Sequence, residues 1–297
     1  MASNQQHFDL IASSTMKSSQ VTTKGDISWY VEEFVPASNA LEDVPPIVLI
    51  PSGEGDCHNL RELGDLLRSA GFHAISFDMP SFSRTTAPVA AYSTITAGLL
   101  ASQIVSLLDE LHISRAAFFG CSSGGLATLA LVALYPERVH CGIVHEVPFE
   151  SPPQLLAMTQ KSDEEVSANC EYFFANFFVE QIDNDGRAKW EALGSDYHAR
   201  LKRNYVTWVR HYVGKFEAHS LGLATKLQQR PVFWTVGGLS DPKAWSKDWE
   251  VAATAGISVR TDVLHCLHFP AVTVTEKTRD WISDCVRGVK PQLKEGV

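Results

Sequence analysis

The chain has 297 residues, of which 45% are hydrophobic, 20% are charged and 10% are aromatic, a composition typical of soluble globular enzymes. Its formal net charge of −9 argues against nucleic acid and against anionic membranes as partners, because both repel an acidic surface. No stretch reaches the ~18 apolar residues of a membrane span, and the polar, Ser-rich N-terminus lacks the apolar segment of a secretory signal.

Six cysteines are scattered singly through the chain, and none of them forms a C-x-x-C pair. The sequence therefore predicts neither a zinc site nor a redox pair, and we expect no metal and no cofactor. Because there is no N-x-S/T sequon either, we expect a protein of the reducing cytoplasm with buried free thiols.

Strand-like and helix-like segments alternate along the first half of the chain. Continuous apolar runs are typical of strands that are covered on both faces, and apolar residues at helical spacing predict amphipathic helices. Alternation of this kind predicts a mostly parallel central sheet with helices on both faces. Residues 1–24 are expected to be loosely ordered, 27–34 to form a half-exposed strand, 47–50, 72–77 and 139–147 to form buried strands, and 60–70 and 100–111 to form helices.

A G-x-S-x-G motif runs from Gly120 to Gly124, with Ser122 at its centre. The strand-type run 116–119 precedes it, and the apolar segment 126–134, which has the length of a helix, follows it. This is the context of a nucleophile elbow, in which the flanking glycines permit a turn too tight for side chains. The helix N-terminus directs backbone N–H groups at the oxyanion of acyl transfer. An ordinary Ser-Gly turn is the alternative, and the flanking segments favour a nucleophile.

From residue 148 to residue 225 the pattern changes, because aromatic residues are frequent and buried strand runs are missing. We interpret this stretch as a helical cap inserted over the strand ends. The alternation resumes with predicted strands at 231–236 and 257–264 and a last helix. The predicted organisation is an α/β-hydrolase core of residues 1–147 and 226–297 and a cap of residues 148–225.

A serine nucleophile needs a base, and the base needs an acid that orients it. His268 lies just past the last predicted strand, where a sheet of this type would deliver a base. Two acids are open. Asp241 follows the penultimate strand but would also suit a helix cap before Pro242. Glu146 closes a buried strand, where an unpaired carboxylate would be costly.

The oxyanion of such a reaction needs two backbone donors. The residue after the nucleophile, Ser123, is expected to supply one N–H group. The loop after the strand 47–50 is expected to supply the other at Gly53, which allows the backbone to approach closely. A plain turn glycine is the alternative at that position.

At these residues the chain resembles the fungal zearalenone lactonases, which are α/β-hydrolases. The resemblance covers most of the chain, and the combination of the elbow with His-Glu-Val-Pro and the cap segments is far more specific than the elbow alone. The shared segments are Ser28-Trp29-Tyr30, Phe77-Asp78-Met79-Pro80, Gly120-Cys121-Ser122-Ser123-Gly124, His145-Glu146-Val147-Pro148, Asp163-Glu164-Glu165, His198-Ala199-Arg200-Leu201, Asn204-Tyr205, Trp234-Thr235-Val236-Gly237 and His268-Phe269-Pro270.

The resemblance implies a cofactor-independent lactonase that opens the macrocyclic ester of a resorcylic acid lactone. It implies Ser122 as nucleophile, His268 as base and Glu146 as acid, with Gly53 and Ser123 as oxyanion donors.

The resemblance also implies a substrate contact at Trp208, and Tyr212, four residues on, would face the same pocket. Packing of the cap on the core is the alternative for both residues. Phe178, with Phe177, is bulkier than the apolar pair expected there, so it would narrow the pocket.

Several departures from the family pattern bear on the substrate and on rival functions. Ser52 and Glu54 stand where the family has an acidic and an apolar residue, Ser81 stands where it has a glycine, and Asp241 is an additional acid. One rival is a hydrolase of another small ester or of a carbon–carbon bond, with Asp241 as its acid. Another is a hydrolase-fold ligand receptor with slow turnover. The sequence leaves a homodimer open.

Overall fold

The computed structural model describes residues 16–37, 40–181, 186–217 and 220–289. Eight strands in this part of the chain form one sheet. They are β1 (Lys17–Thr22), β2 (Ser28–Phe34), β3 (Ile47–Ile50), β4 (Ala74–Phe77), β5 (Ala116–Cys121), β6 (Val139–His145), β7 (Val232–Thr235) and β8 (Val259–Arg260).

The helices connect these strands and add a helical stretch between β6 and β7. The α-helices are α1 (Arg61–Ser69), α2 (Ala97–Glu110), α3 (Ser123–Leu134), α4 (Pro153–Met158), α5 (Asp163–Gln181), α6 (Gly186–Ala192), α7 (Ser195–His211), α8 (Ser246–Thr254), α9 (Pro270–Thr273) and α10 (Thr275–Gly288). Short 3₁₀ helices span Cys57–Leu60, Val89–Ala91, Pro136–Arg138, Ser220–Gln229 and Pro242–Trp245.

The sheet has the strand order β1-β2-β4-β3-β5-β6-β7-β8. The pairs β1–β2 and β2–β4 are antiparallel, and the pairs that follow along the sheet are parallel. The prediction of a mostly parallel sheet is therefore confirmed. Parallel strands end at one edge of a sheet, so the loops that follow β3, β5, β6 and β7 meet there.

Alternate residues of the central strands enter two cores, one on each face of the sheet. Val48 of β3 packs with residues of α2 and α3 on one face. Its neighbour Leu49 packs with residues of α1 and α10 on the other face. A strand covered on both faces needs apolar residues at successive positions, which is why β3 is a continuous apolar run.

Two sequence predictions are wrong in the outer strands. The segment expected to be loosely ordered contains β1, whose residues are mostly exposed. It pairs with β2 in a register that runs from Lys17 opposite Glu33 to Thr22 opposite Ser28. Its sequence carries no apolar pattern because Val21 is the one residue of β1 that packs against a core. In the opposite sense, the strand expected at 257–264 shrinks to Val259–Arg260, and the buried Leu264 lies outside it.

The helices α4 to α7 occupy the stretch for which a cap was predicted. A separate apolar cluster holds them together, in which Tyr197, Leu201 and Tyr205 of α7 pack with Val166 and Cys170 of α5. The division at residues 148 and 225 stays a prediction. Among the described residues, none of the helices combines the length and the apolar content that crossing a bilayer requires.

The turn from β5 into α3 packs backbone against backbone. A Cβ atom on Gly120 would lie 2.1 Å from the carbonyl oxygen of Gly124, and one on Gly124 would lie 2.5 Å from that of Ile50. Neither contact can be relieved by moving a side chain. Both glycines of the motif are therefore required by close approach of main chain to main chain.

Replacing Gly120 by alanine tests this packing. We expect Gly120→Ala to lower the free energy of unfolding by roughly 3 kcal/mol or more, because β5 or α3 has to shift. Gly222→Ala is the matched control, since a Cβ atom there meets nothing within 4 Å, and we expect a change within about 0.5 kcal/mol. Urea unfolding measures both, and equal stability of the two variants would contradict the packing argument.

Candidate active site

Ser122 lies between the end of β5 and the start of α3, at the carboxyl edge of the sheet. Its backbone has φ 54° and ψ −127°, a conformation that non-glycine residues rarely adopt. The Ser122 N–H group donates to the carbonyl oxygen of His145 (3.0 Å), and its own carbonyl accepts from Gly125 N (2.8 Å). Strain of this kind is held by its surroundings and is typical of functional sites.

A cavity of about 770 Å³ opens above Ser122, between the strand ends and the helices α4, α5 and α7. This volume is in the range that holds a drug-sized molecule. Its wall includes Gly53, Ser122, Ser123 and His268. The described residues contribute eight aromatic side chains to it: Phe149, Tyr172, Phe173, Phe174, Tyr205, Trp208, Trp245 and Phe269.

His268 and Glu146 form a buried pair at one side of this cavity. The Nδ1 atom of His268 lies 2.8 Å from Oε2 of Glu146. Glu146 directly follows β6 and has a φ of 46°, so the chain turns sharply to present its carboxylate. A carboxylate at Nδ1 favours the tautomer with a proton on that atom, which leaves Nε2 as the basic nitrogen.

The second oxygen of Glu146 is also satisfied. Oε1 accepts a hydrogen bond from Gly237 N (3.0 Å) and another from the hydroxyl of Ser240. Burial acts to raise the pKa of Glu146, but the hydrogen bond from His268, the neighbouring imidazoles and Ser240 together lower that pKa to about 2. Glu146 is therefore ionised at neutral pH, and its negative charge lies against the imidazole of His268.

The structure places the other candidate acid elsewhere. Asp241 is exposed, and its carboxylate accepts a hydrogen bond from Lys243 N (3.0 Å). This bond caps the 3₁₀ helix Pro242–Trp245. It is not part of the cavity wall. Glu146, and not Asp241, lies against His268.

The two expected oxyanion donors lie at the same cavity. Ser123 is the first residue of α3, and Gly53 belongs to the loop after β3. A Cβ atom on Gly53 would lie 2.9 Å from the indole ring of Trp208, so a side chain there would displace that ring. The loop thus needs glycine at this position because Trp208 covers it. The hydrogen bonding of these two N–H groups to a substrate stays a prediction.

The expected substrate contacts divide into three cases. Trp208 lines the cavity, as expected. Tyr212 is not part of the cavity wall, because its phenol points into the core, where the hydroxyl donates to the carbonyl oxygen of Pro80 (3.1 Å). Its ring packs against Phe82 and Phe216, so the expectation that it shares the pocket is wrong. Phe178 lies within α5, but its side chain is outside the described residues.

An ion cluster that we had not predicted fixes the loop of Gly53. Asp56 contacts Arg84 (3.0 Å) and Arg200 of α7 (2.7 Å), and its side chain is fully buried. Burial acts to raise the pKa of Asp56, but the two arginines lower it. On the same helix Asn204 donates to the carbonyl oxygen of Glu54 (2.8 Å). Helix α7 is thereby joined to the loop after β3 that contains Gly53.

Asp248 on α8 is a second residue that the sequence did not single out. It is buried at the cavity wall, and its Oδ1 atom accepts from Val147 N (2.9 Å) and from the indole of Trp234 (2.7 Å). These bonds hold the chain just past Glu146. Burial raises the pKa of Asp248 to about 7, and burial also raises the pKa of Glu54 at the same wall.

The pKa of Asp248 makes stability depend on pH in a defined direction. Because folding raises this pKa from an unfolded value near 3.9, the folded protein binds the proton more tightly, and stability falls as pH rises between about 4 and about 7. Asp248→Asn keeps an oxygen acceptor and removes the titration. We expect the variant to gain roughly 2–3 kcal/mol relative to the wild type between pH 5 and pH 8, measured by urea unfolding. A pH-independent difference would contradict this assignment.

Comparisons with known proteins agree with the fold. A family model for the α/β hydrolase fold matches residues 45–248. The zearalenone hydrolase of Cladophialophora bantiana is 32% identical over 270 residues, which cover 91% of this chain and 96% of the relative. The zearalenone hydrolase of Bionectria ochroleuca is 32% identical over 257 residues, covering 86% and 92%. A thermophilic esterase from Thermogutta terrifontis shares the fold with a TM-score of 0.68 at 17% identity, covering 93% of this chain and 100% of that one. The chain belongs to the α/β-hydrolase family, within the group of the zearalenone hydrolases, and is an ester-hydrolysing enzyme.

Proposed function

We propose that the protein is a serine lactonase that opens the macrocyclic ester of zearalenone-like resorcylic acid lactones. The observation that carries this proposal is the 2.8 Å contact between His268 and Glu146 at the cavity wall that also contains Ser122. The two relatives named zearalenone hydrolases, which match most of the chain, support the substrate class.

In the acylation step, the hydroxyl oxygen of Ser122 attacks the ester carbonyl while Nε2 of His268 accepts the hydroxyl proton. The tetrahedral oxyanion accepts hydrogen bonds from the N–H groups of Gly53 and Ser123. When the carbon–oxygen bond of the ring breaks, His268 returns the proton to the leaving alkoxide. The ring opens, and its acyl end stays bonded to Ser122.

In the deacylation step, water replaces the alcohol as the second reactant. His268 accepts a proton from this water as its oxygen attacks the acyl carbonyl, and the same two N–H groups hold the second oxyanion. Collapse returns the proton to Ser122 and releases a hydroxy acid. The carboxylate of Glu146 stabilises the imidazolium in both steps and remains ionised because its pKa is about 2.

The cavity wall suits a flat, uncharged, largely apolar substrate. Aromatic faces such as those of Trp208 and Phe173 give an apolar slot for a phenolic ring. Burial raises the pKa of Glu54 and that of Asp248 at this wall, which favours the neutral carboxyl groups, and a wall without a free charge suits an uncharged ligand.

Hydrolysis of zearalenone by the purified protein tests the proposal, with Ser122→Ala as control. We expect the wild type to hydrolyse zearalenone, and chromatography of the ring-opened product measures the rate. We expect a loss of about 10³-fold or more in the variant, because no nucleophile remains. Hydrolysis by Ser122→Ala above background would contradict the acyl-enzyme mechanism. Tight binding with turnover far below about 1 per second would instead favour a ligand receptor.

A pair of acid variants separates the two candidate acids. We expect Glu146→Gln to lower kcat by roughly 10³–10⁴-fold, because the amide cannot stabilise the imidazolium. Asp241→Asn is the matched control, and we expect kcat within about threefold of the wild type, because asparagine is also a good helix cap. The reverse ranking in steady-state kinetics would favour the rival hydrolase that uses Asp241.

A further inference from the structure

Trp245 makes a contact with His268 that the chemistry above does not use. The indole ring lies nearly parallel to the imidazole, with ring centroids 5.0 Å apart and planes inclined by 14°. Trp245 is half-buried, lines the cavity and is the last residue of the 3₁₀ helix that Asp241 caps. This offset stacked arrangement is within the range at which aromatic rings attract each other.

We propose that Trp245 is a positioning residue for His268, which fixes the plane of the imidazole and stabilises its protonated form through the face of the indole. A protonated imidazole over an aromatic face is a cation–π pair, and tryptophan is the best partner for such a cation. When the resting imidazole is neutral, positive charge develops on His268 in each of the two proton transfers, so the contact then favours the transition states over the resting enzyme.

The geometry supports a positioning role because each contact fixes a different degree of freedom. The bond between Nδ1 and Glu146 fixes one edge of the ring, and the indole fixes the orientation of its plane. Phe269 meets the same ring at 62°, with centroids 4.9 Å apart. A base whose edge and plane are both held keeps Nε2 in a constant direction, which proton transfer needs.

One segment of the chain, residues 237–245, serves both partners of the pair. Gly237 and Ser240 donate to Oε1 of Glu146, and Trp245 covers the imidazole of His268. Asp241 lies between these positions and stabilises the turn that ends at Trp245. The acid and the base are therefore held by the same short stretch.

A pH test of Trp245 depends on which groups near His268 change their charge over the same pH range. Burial lowers the pKa of His145 to about 4 and raises the pKa of the Cys121 thiol, so both are neutral between pH 5 and pH 8. The thiol of Cys121 donates a hydrogen bond to the carbonyl oxygen of His268 (2.8 Å). Glu146 is ionised throughout this pH range. Asp248, which interacts with Glu146, has a pKa of about 7 and requires a separate control.

This inference rests on the Ser122–His268 chemistry of the proposed function but not on the identity of the ester. The test is therefore the rate at which an alkyl fluorophosphonate phosphonylates Ser122, measured from pH 5 to pH 9. The variants are Trp245→Leu and Trp245→Phe. Trp249→Leu is the matched control, since it removes an indole four residues along that is not part of the described cavity wall. All are repeated with Asp248→Asn, which removes the competing titration.

We expect Trp245→Leu to slow phosphonylation at pH 8 about two- to fivefold. The acidic limb of its pH profile should move to lower pH, because an imidazolium without the indole loses its proton more readily. Trp245→Phe should restore part of both effects, and Trp249→Leu should leave the midpoint unchanged. If thermal melting shows that Trp245→Leu is unfolded, Trp245→Met replaces it.

The inference would be overturned if the acidic limb of the pH profile had the same midpoint in Trp245→Leu as in the wild type. Equal effects of Trp245→Leu and Trp245→Phe would also overturn it, because a plain packing role needs no aromatic face. A wild-type protein that reacts with the phosphonate but leaves lactones intact would remove the proposed substrate alone. In that case the shift of the midpoint would still decide the role of Trp245.

Discussion

The buried negative charge of Glu146 is the constraint on which the geometry of the site depends. Its side chain is fully buried, and a carboxylate in that position costs several kcal/mol unless donors surround it. The donors come from His268, Gly237 and Ser240, which lie in two different loops. Both loops must therefore converge on the end of β6, and the strained backbone of Glu146 itself (φ 46°) is part of that arrangement.

The core of the fold was predictable because its physical cause is local and repeated. Runs such as Ile47–Ile50 are apolar at every position, and only a strand covered on both faces requires this. The outer strands were not predictable in the same way. β1 is held mainly by its pairing with β2, and Val21 alone of its residues packs against the core, so its polar sequence gave no signal. Leu264 is apolar because a loop buries it, which imitates a strand pattern.

The site divides along the same line between local and distant causes. The elbow at Ser122 was predictable because the strand, the two glycines and the helix are contiguous. Order along the chain did not decide between Glu146 and Asp241, since both follow a strand. The resemblance implied Glu146, and the structure separates the two acids by their contacts, Glu146 with His268 and Asp241 with Lys243. The side chain of Tyr212 follows Trp208 by one helical turn and yet points into the core, where it contacts Pro80 and Phe82, and spacing alone does not reveal this.

The ion cluster at Asp56 has a consequence for how such enzymes can be recombined. Arg200 lies 144 residues from Asp56 along the chain, yet the two side chains form one ion pair, in which Asp56 is fully buried and Arg200 is partly exposed. A chimaera that receives its helices α4–α7 from a relative without a matching arginine would retain an Asp56 charge with one partner fewer. Breaking a buried pair in this way typically costs about 3–5 kcal/mol. The loop after β3 and helix α7 are therefore a single structural unit, and grafts that aim to change substrate range need to carry both.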